Sequence, residues 1–521
     1  MGKHIGALVA AIMITSAFAA EVQAERLVIL TTNDTHSQID PDSDGRGGVL
    51  RRRAIIDSVR AAEKNVLLLD AGDVVQGTLY FTLFGGEVET AMLDSLGYDA
   101  CTLGNHEFDN GMEPLAKCYK TMSTARLSAN YGLEGTPLEG LLEPYLIKQY
   151  GGRKIAVVGI NLLPDGMIAP ANCEGVVYRN SRETANAIAA ELKGGGKADF
   201  VILLTHVGYK GGSTQDPSDV TIAQSSTDVD LIVGGHSHTT VDPADPKSED
   251  WIVSNADGIG IPVTQTGSSG KNVGYILLDL DAMTVEEYRL IPVDKHWDDR
   301  AIYPALDAYL APYREKVDSL MNSPLIYSVE ALERGGIPLA NFTADATYEI
   351  ACSLYDGQVD FAIMNNGGIR QPMPQGDVSE GLIRSMYPFD NKLVVIEVTG
   401  QQLMDALAIM ATRGGDPVSS QVRVAFERGE PGTKAVVKSA TVDGKTITAT
   451  ATYKVATIDY LANGGDYMTP LASCPRLYED LSKIGDRIVD YLRLQAQAGA
   501  TIDPSKEPRM TDLNPTPPPA R

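Results

Sequence analysis

The chain has 521 residues, with 68 acidic and 44 basic side chains and a formal net charge of −24. Its length suggests roughly two to four domains, and an apolar content of 43% with 21% charged residues is typical of globular proteins. This composition excludes a disordered chain, a fibre and a polytopic membrane protein. The acidic excess argues against a DNA- or RNA-coating protein, because phosphate contacts need clustered Lys and Arg. A small phosphorylated ligand stays possible, since bound divalent cations reverse the local charge.

Residues 1–24 have the pattern of an export signal. A positive charge at Lys3 precedes an apolar run from Ile5 to Ala20, and Val22-Gln23-Ala24 offers an A-x-A-like cleavage site. The run is short for a membrane anchor, and no later stretch is apolar enough to span a bilayer. We therefore predict a mature chain that begins near Glu25 and works in the periplasm or outside the cell.

The first two thirds of the chain alternate short apolar runs with amphipathic stretches. Each run is too short for a helix and is bounded by Gly or polar residues, which predicts a strand buried on both faces. Candidate helices between the runs include residues 48–62 and 182–193. The predicted strands include residues 27–30, 66–69, 155–158, 201–204 and 231–233.

The pattern changes near Asp298. Apolar residues recur at helical spacing over residues 302–321 despite Pro312, which predicts a connecting helix with a kink. A second α/β region follows, and the Pro-rich end is typical of a disordered tail. The predicted division of the chain is a signal peptide (1–24), a first domain (25–298), a connecting helix (299–322), a second domain (323–510) and a tail (511–521).

The 5 cysteines are too few for a disulfide scaffold and are odd in number. Cys101 and Cys118 flank one predicted strand-turn-helix unit and could form a disulfide in an oxidising compartment. The alternative, that all the cysteines are buried thiols, stays open. No CxxC pair is present, which excludes a zinc ribbon and thioredoxin chemistry.

Histidine, carboxylate and amide side chains directly follow the predicted strands. In open α/β sheets, ligands collect at the carboxyl ends of strands, so these segments are expected to meet in one crevice. Imidazole and carboxylate ligands favour ions such as Zn, Mn, Co or Fe. The segments are Asn33-Asp34-Thr35-His36, Gly72-Asp73, Gly104-Asn105-His106-Glu107-Phe108-Asp109, Thr205-His206 and Gly234-Gly235-His236-Ser237-His238.

The spacing within these segments predicts how they hold metal. Asp34 with His36, and His236 with His238, are separated by two positions, so in extended backbone both members point the same way and each pair can hold one ion. A carboxylate on the Gly72-Asp73 turn can bridge two ions. Any one segment alone is more often a plain turn or a polar surface. Their occurrence together, each at a strand end, indicates a metal centre.

These segments resemble the motifs of the calcineurin-like metallophosphoesterases. Residues 104–109 (GNHEFD) and 72–78 (GDVVQGT) resemble more narrowly the secreted 5′-nucleotidase family, which includes periplasmic UDP-sugar hydrolases and cyclic-nucleotide phosphodiesterases. The resemblance extends from Arg26 to about Leu492. It implies a layered α/β/β/α catalytic domain, joined by a helix to a second, α+β substrate-binding domain.

The second region carries further family-like segments. Residues 365–370 (NNGGIR) resemble the family's Asn-Gly-Gly-Gly-Ile-Arg loop, with Asn366 in place of a Gly. Tyr387-Pro388-Phe389 resembles its Pro-Phe base-stacking segment. Residues 462–467 (ANGGDY) resemble its Asn-Gly-Gly-Asp-Gly-Phe loop, one residue shorter and with Tyr467 in place of Phe.

The resemblance implies roles for residues of this second region. Phe389 and Tyr467 would sandwich a nucleobase, since stacking tolerates many bases. Arg370 would contact phosphate or ribose through its planar guanidinium. Asn365 lies in the same loop and would also contact substrate. Arg334 matches a further family arginine, although its spacing differs by one residue.

The resemblance also implies a two-metal centre that holds divalent ions of the Zn, Mn or Co type. A hydroxide between the ions would attack phosphorus in line. His106 would not be a ligand but would stabilise the transition state and assist the leaving oxygen, with Asp109 orienting it. The implied ligands are Asp34, His36, Asp73 and His238 for one ion, and Asp73, Asn105, His206 and His236 for the other, with Asp73 bridging.

The implied function is an exported 5′-nucleotidase that hydrolyses nucleotides to nucleoside and phosphate. Alternatives in the same family are a UDP-sugar hydrolase and a 2′,3′-cyclic-nucleotide phosphodiesterase with 3′-nucleotidase activity, which the short Tyr467 loop and Asn366 motivate. A non-enzymatic exported solute-binding protein would share the export signal, the acidity and the α/β regions. Such a binder has no use for the metal-type segments.

Overall fold

The computed structural model of the protein describes residues 25–429 and 433–514. The predicted export signal at residues 1–24 and the Pro-rich end at residues 515–521 lie outside the described residues. Within the described part of the chain, no helix is both long and apolar enough to cross a membrane.

The first part of the chain alternates strands and helices, and each of the predicted apolar runs forms a strand. Its helices are α1 (Val49–Ala62), α2 (Leu79–Phe84), α3 (Glu87–Leu96), α4 (Met112–Thr121), α5 (Ser181–Gly194) and α6 (Asp219–Ser225). Its strands are β1 (Arg26–Thr32), β2 (Val66–Asp70), β3 (Ala100–Thr102), β4 (Ala125–Leu127), β5 (Tyr131–Gly132), β6 (Tyr145–Tyr150), β7 (Arg153–Asn161), β8 (Val177–Tyr178), β9 (Phe200–His206), β10 (Leu231–Val233), β11 (Ile252–Ser254), β12 (Gly260–Thr264), β13 (Asn272–Asp279) and β14 (Thr284–Pro292).

These strands form two six-stranded sheets, in the orders β14-β13-β1-β2-β3-β4 and β11-β12-β10-β9-β7-β6. Alternate residues of β1 point to opposite faces. Leu27 and Ile29 pack with β9 of the other sheet, whereas Val28 and Leu30 pack with helix α1. The sheets therefore face each other with helices outside, which confirms the α/β/β/α layering.

Parallel pairing directs the functional loops to one edge of these layers. Strand β1 is parallel to β2, and β2 to β3, in the first sheet. In the second sheet, β9 is parallel to β7 and β10. The loops after β1, β2, β3 and β10 and the last two residues of β9 carry the metal-type segments, so the carboxyl ends of both sheets contribute to one site.

Helix α7 (Pro304–Met321) follows the first domain and contains Pro312. It begins two residues later than predicted, with Pro304 in its first turn, where the missing N–H of proline costs nothing. Its side chains contact the first domain: Tyr313 Oη donates to Glu87 at 2.8 Å, and Arg314 pairs with Asp40 at 2.8 Å.

The second domain is an α+β structure, as predicted. Its main sheets have the orders β16-β22-β18-β23 and β21-β20-β19-β24, and most neighbouring strands are antiparallel. Its helices are α8 (Ile337–Leu354), α9 (Glu380–Met386), α10 (Gly400–Thr412), α11 (Asp459–Ala462) and α12 (Ile484–Gln497). Its strands are β15 (Pro324–Ser328), β16 (Phe361–Ala362), β17 (Gly376–Ser379), β18 (Lys392–Thr399), β19 (Val422–Glu427), β20 (Val436–Val442), β21 (Lys445–Thr446), β22 (Thr452–Ile458), β23 (Arg476–Lys483) and β24 (Met510–Asp512).

The predicted tail needs correction. The segment predicted as a tail from residue 511 begins inside β24, which pairs in parallel with β19 and therefore belongs to the second domain.

Neither of the two alternatives left open for the cysteines holds. Cys101 and Cys118 are free thiols, with Cys101 of β3 buried in the core and Cys118 on α4 directed at the Gly85 carbonyl. The cysteines are not all buried either, since Cys352 is exposed.

The close approach of the two sheets at Gly159 generates a stability prediction. A Cβ on this residue of β7 would lie 2.4 Å from the carbonyl carbon and oxygen of Leu127 in β4. We expect Gly159→Ala to lower the free energy of unfolding by about 1–3 kcal/mol, because backbone cannot move aside cheaply. Urea denaturation followed by circular dichroism measures this change.

Gly194 at the end of α5 is the matched control, since a Cβ there meets no atom within 4 Å. Gly194→Ala should be neutral or stabilising by up to about 1 kcal/mol, because alanine loses less conformational entropy than glycine in a helix. Equal effects of the two substitutions would contradict the proposed close packing.

Candidate metal centre

Asp34, His36, Asp73, His236 and His238 lie on tight loops rather than on extended backbone, whereas His206 is the last residue of β9. The expectation that the i,i+2 pairs lie in extended chain is therefore wrong. The loops turn back sharply at the strand ends, where Asp34 N donates to the Gly72 carbonyl at 2.9 Å. Left-handed backbone in non-glycine residues costs free energy and clusters at functional sites. Positive φ angles occur at Asp34 (49°), His36 (46°), Asp73 (54°), His236 (79°) and His238 (55°).

Asp34, His36 and His238 form the first cluster. The Nε2 atoms of His36 and His238 lie 2.9 Å apart, and Asp34 Oδ1 lies 3.9 Å and 3.4 Å from them, respectively. The Nδ1 of His36 lies 3.1 Å from the Gln76 carbonyl oxygen. A proton on Nδ1 therefore leaves the Nε2 lone pair directed at the cluster.

Asp73, His206 and His236 form the second cluster. His206 Nε2 lies 3.1 Å from Asp73 Oδ2, and its Nδ1 lies 2.7 Å from the Ala71 carbonyl oxygen. Asn105 Oδ1 lies 3.0 Å from His236 Nδ1, which brings this amide to the same cluster. The i,i+2 histidines therefore separate, with His236 in the second cluster and His238 in the first.

The donor atoms fit divalent cations. Among the described residues, buried His206 Nε2 has no partner in hydrogen-bond geometry, and its contact with Asp73 Oδ2 at 3.1 Å is an ion pair outside that geometry. If the proton of each ring is on Nδ1, the facing Nε2 atoms of His36 and His238 carry no hydrogen atom and cannot hydrogen-bond to each other. Asp34 Oδ1 lies 4.0 Å from His206 Nε2, so the two clusters adjoin. Imidazole with carboxylate is a donor set typical of transition-metal sites.

The histidine pKa values reflect burial and neighbouring carboxylates. Burial lowers the pKa of His36 to about 3 and that of His236 to about 4, so both are neutral at physiological pH. Burial also disfavours the charged form of His206, but the Asp73 and Asp34 carboxylates outweigh it and raise its pKa to about 10. A bound cation would replace that proton between the same carboxylates.

His106 lies beside both clusters but belongs to neither. Its Nδ1 lies 2.9 Å from Asp109 Oδ2, and its backbone N–H donates to Asp73 Oδ1 at 2.9 Å. Burial alone lowers its pKa, but the Asp109 and Asp73 carboxylates outweigh that effect and raise the pKa above its ordinary value. The arrangement leaves Nε2 available to a ligand.

Glu107 is a site residue whose role the sequence reasoning missed. Its buried carboxylate accepts backbone N–H groups of Asp73 (3.0 Å), Val74 (2.9 Å) and Gly104 (2.5 Å). Burial, with the nearby Asp73 charge, raises the pKa of Glu107 to about 7. The only sequence signal is its place within residues 104–109, which does not reveal that it joins two loops.

Asn33 is a second residue that supports the metal-type side chains. The motif in which it occurs does not indicate this role. Its Nδ2 donates to Asp34 Oδ2 at 2.6 Å and to the Gly267 carbonyl at 2.7 Å. Its Oδ1 accepts the Thr266 N–H at 2.8 Å. These contacts orient the Asp34 carboxylate from a loop more than two hundred residues away, which no local sequence pattern indicates.

The second domain brings several of the predicted substrate residues to this site. The Phe389 ring lies 5.9 Å from the His106 ring, and the Arg370 guanidinium lies 5.9 Å from Phe389, both measured to the ring centroid. Within the described residues, the Arg370 side chain makes no hydrogen bond or ion pair. Arg334 Nε donates to the Ile369 carbonyl at 2.9 Å, adjacent to Arg370.

The remaining substrate candidates lie on a second loop. Asn365 Nδ2 donates to Asp466 Oδ2 at 2.7 Å, and Tyr467 is 55% exposed. Among the ring pairs of the described residues, Tyr467 does not contact Phe389. The structure therefore places Phe389 and Arg370 beside His106, and Asn365 beside the loop that carries Tyr467.

Comparisons with known proteins agree with this architecture. The calcineurin-like phosphoesterase model matches residues 27–240, and the 5′-nucleotidase C-terminal domain model matches residues 322–473. The 5′-nucleotidase of Vibrio vulnificus (strain CMCP6) is 30% identical over 485 residues, which cover 86% of this chain and 87% of that protein. This chain belongs to the 5′-nucleotidase family of calcineurin-like phosphoesterases.

Membership of the 5′-nucleotidase family is also visible in a solved structure. The crystal structure of a 5′-nucleotidase precursor from Thermus thermophilus has a TM-score of 0.81 and 28% identity, and covers 94% of this chain and 100% of its own. The trifunctional nucleotide phosphoesterase YfkN of Bacillus subtilis (strain 168) is 27% identical over 94% of this chain, which spans only 35% of that protein. The chain is a phosphoric ester hydrolase.

Glu107 provides a test of how the metal loops are held. Glu107→Gln removes one of the carboxylate oxygens that accept backbone N–H groups and places an amide N–H₂ against them. We expect the affinity for Mn²⁺ or Zn²⁺ to fall by about 10–100-fold, as for other residues that support metal ligands. Calorimetric titration of chelator-treated protein measures it.

Glu113→Gln on the exposed side of α4 is the control and should bind metal as the unaltered protein does. Unchanged metal affinity in Glu107→Gln would show that the loops keep their positions without these hydrogen bonds.

Proposed function

We propose that the protein is an exported 5′-nucleotidase that uses two divalent metal ions to hydrolyse nucleotides to nucleoside and phosphate. The observation that carries this proposal is the meeting of two domains. His106 and the paired clusters of the first domain face Arg370 and Phe389 of the second. Such a site offers cation ligands, a proton donor, a guanidinium and an aromatic ring to a single nucleotide.

The metal ligands follow from the two clusters. Bound divalent cations would supply Lewis acidity, which lowers the pKa of a water molecule and neutralises charge on phosphoryl oxygens. Asp73 would serve both ions, a role supported by its Oδ2, which lies 3.1 Å from His206, and by its backbone carbonyl, which accepts the His36 N–H. One ion would be held by Asp34, His36, Asp73 and His238, and the other by Asp73, Asn105, His206 and His236.

His106 would act on the phosphoryl group and the leaving oxygen. Nδ1 of His106 is hydrogen-bonded to the Asp109 carboxylate. The Nε2 atom of His106 would therefore be the proton donor or acceptor toward the substrate. The raised pKa keeps a larger share of His106 protonated, which suits a residue that donates a proton to the departing nucleoside oxygen. Asp109 is thus a positioning residue for this step.

Residues of the second domain would bind the rest of the nucleotide. Arg370 is partly buried without a carboxylate partner, so an anionic phosphate would satisfy its guanidinium through paired hydrogen bonds. Phe389 would stack on the nucleobase, with Tyr467 on the opposite side. Asn365 and Arg334 lie in the same binding region and would complete the polar contacts.

The division into domains and the export of the protein belong to the same proposal. The family matches at residues 27–240 and 322–473 support a catalytic domain over 25–298 and a nucleotide-binding domain over 323–510, with residues 299–322 as a connecting helix. The apolar run from Ile5 to Ala20 supports export as a signal peptide.

A broader phosphoesterase specificity is the second candidate. Asn366, which replaces a family Gly, donates from its side chain to the Gly415 carbonyl at 2.9 Å, a contact that glycine cannot make. The trifunctional name of YfkN is consistent with hydrolysis of several nucleotide esters. A solute-binding role is disfavoured, because the two adjoining clusters of imidazole and carboxylate groups have no function in a metal-free binder.

A substrate panel tests the proposal. With Mn²⁺ or Zn²⁺, purified protein should hydrolyse AMP to adenosine and phosphate faster than it opens 2′,3′-cyclic AMP to a monophosphate or cleaves UDP-glucose to UMP and glucose 1-phosphate, and chelation should abolish all hydrolysis because the ligands then hold no cation. Colorimetric phosphate determination and chromatography of the products distinguish the esters. Faster turnover of the cyclic nucleotide or the UDP-sugar would establish the second candidate instead.

His106→Ala tests the chemical role of this histidine. We expect kcat for AMP to fall by about 10²–10⁴-fold, the usual contribution of a general acid. Metal content, measured by mass spectrometry, should match that of the unaltered protein, since His106 is outside both clusters. His296→Ala is the control at an exposed histidine. Full activity of His106→Ala would remove this residue from the reaction.

A further inference from the structure

A corner of the second domain at Asp466 and Tyr467 rests on a turn of the catalytic domain at Gly166. The Asp466 backbone N–H donates to the Gly166 carbonyl at 3.2 Å. The Tyr460 hydroxyl lies 3.2 Å from the same carbonyl oxygen and 3.0 Å from Asp466 Oδ1. The hydroxyl of Tyr467 lies 4.0 Å from Met167 Sδ. Two tyrosines and a backbone amide of one domain thus converge on one turn of the other.

Only glycine fits at position 166. Its φ is +81°, in the left-handed region, and a Cβ there would lie 2.9 Å from Cε1 and 3.0 Å from Cδ1 of Tyr467. The Tyr467 ring therefore lies directly against the Gly166 backbone. The turn itself is closed by Pro164, whose carbonyl accepts the Met167 and Ile168 N–H groups at 3.0 Å and 2.9 Å.

Contacts within the second domain also constrain the backbone of Asp466 and Tyr467. Asp466 and Tyr467 have φ angles of 53° and 59°, which non-glycine residues seldom adopt. Arg413 Nη1 donates to the Asp466 carbonyl at 2.5 Å, and Arg413 Nε pairs with Asp416 at 3.0 Å. The side chain of Asp466 is held by Asn365. The orientation of the Tyr467 ring is therefore set by both domains, with Gly166 as the catalytic-domain support.

We propose that Gly166 is a positioning residue that fixes the Tyr467 ring for stacking on a nucleobase, so that this turn sets the preference for nucleotides over phosphate esters without a base. The inference rests on the proposed nucleotide hydrolysis and deepens it. Gly166 lies in the catalytic domain yet would act on the base, not on the phosphate. A side chain at this position would displace the ring and leave the metal clusters and His106 unchanged.

Kinetics of Gly166→Ala on two substrates test the proposal. For AMP, we expect KM to rise about tenfold, the loss typical of one aromatic stacking contact, with kcat within twofold. For ribose 5-phosphate, which has no base, KM and kcat should stay within twofold. Gly135→Ala is the matched control, since Gly135 has a φ of +76° with no atom within 4 Å of a Cβ, and it should change neither substrate.

Adenosine binding, measured by calorimetry without metal or turnover, separates this inference from the proposed function. Gly166→Ala should weaken adenosine binding about tenfold and Gly135→Ala should not. The double variant of Gly166→Ala with Tyr467→Ala should bind no more weakly than Tyr467→Ala alone, because both act on one ring. Absence of AMP hydrolysis by the unaltered protein would refute the proposed function, while the adenosine data would still decide the role of Gly166.

The outcomes that overturn the role of Gly166 are specific. Equal increases in KM for AMP and ribose 5-phosphate would show that the turn affects the phosphate site or the whole domain arrangement. Equal loss of adenosine affinity in Gly166→Ala and Gly135→Ala would assign the effect to backbone strain alone. Unaltered adenosine affinity in Gly166→Ala, or no adenosine binding by the unaltered protein, would also reject it.

Discussion

The burial of the Asp73 carboxylate among imidazoles is the constraint on which the rest of the site depends. A buried carboxylate needs compensating hydrogen bonds or positive charge. Here Oδ1 accepts the His106 N–H, and Oδ2 lies 3.1 Å from Nε2 of His206. A Cβ on Gly104 would lie 2.1 Å from Asp73 Oδ1, so the neighbouring loop must carry glycine for the carboxylate to sit there. Glu107 then ties both loops together from behind.

The layered sheets supply the rigid frame for this arrangement. Both sheets direct the carboxyl ends of parallel strands to one edge, so loops distant in sequence meet without any long excursion. Because the strand interiors are fully buried, the frame cannot shift to accommodate a misplaced ligand. The strained left-handed residues at the strand ends are thereby held in place by the packing beneath them.

The second domain would add substrate recognition to the candidate metal centre of the first domain. Arg370 and Phe389 approach His106 from one side, while the Tyr467 corner is supported at Gly166. In this arrangement, different loops of the second domain would bind the phosphate and the base of a nucleotide. Substrate preference can then change through the loops without disturbing the metal ligands, which is consistent with a family whose members hydrolyse different nucleotide esters.

The sequence by itself determined the strands, because apolar runs are local signals. Through the resemblance of its loop motifs to a known family it also implied the α/β/β/α layering, the second α+β domain, the residue types of the centre and the grouping of His238 with His36 and of His236 with His206. The tertiary structure brings His238 to His36, which lies 202 residues away, and His236 to His206. Only the tertiary structure decided the left-handed loops, the role of Glu107, the free thiols of Cys101 and Cys118 and the support of Tyr467 by Gly166. Each depends on contacts between distant segments, whose geometry is fixed by how the sheets and domains pack rather than by neighbouring residues.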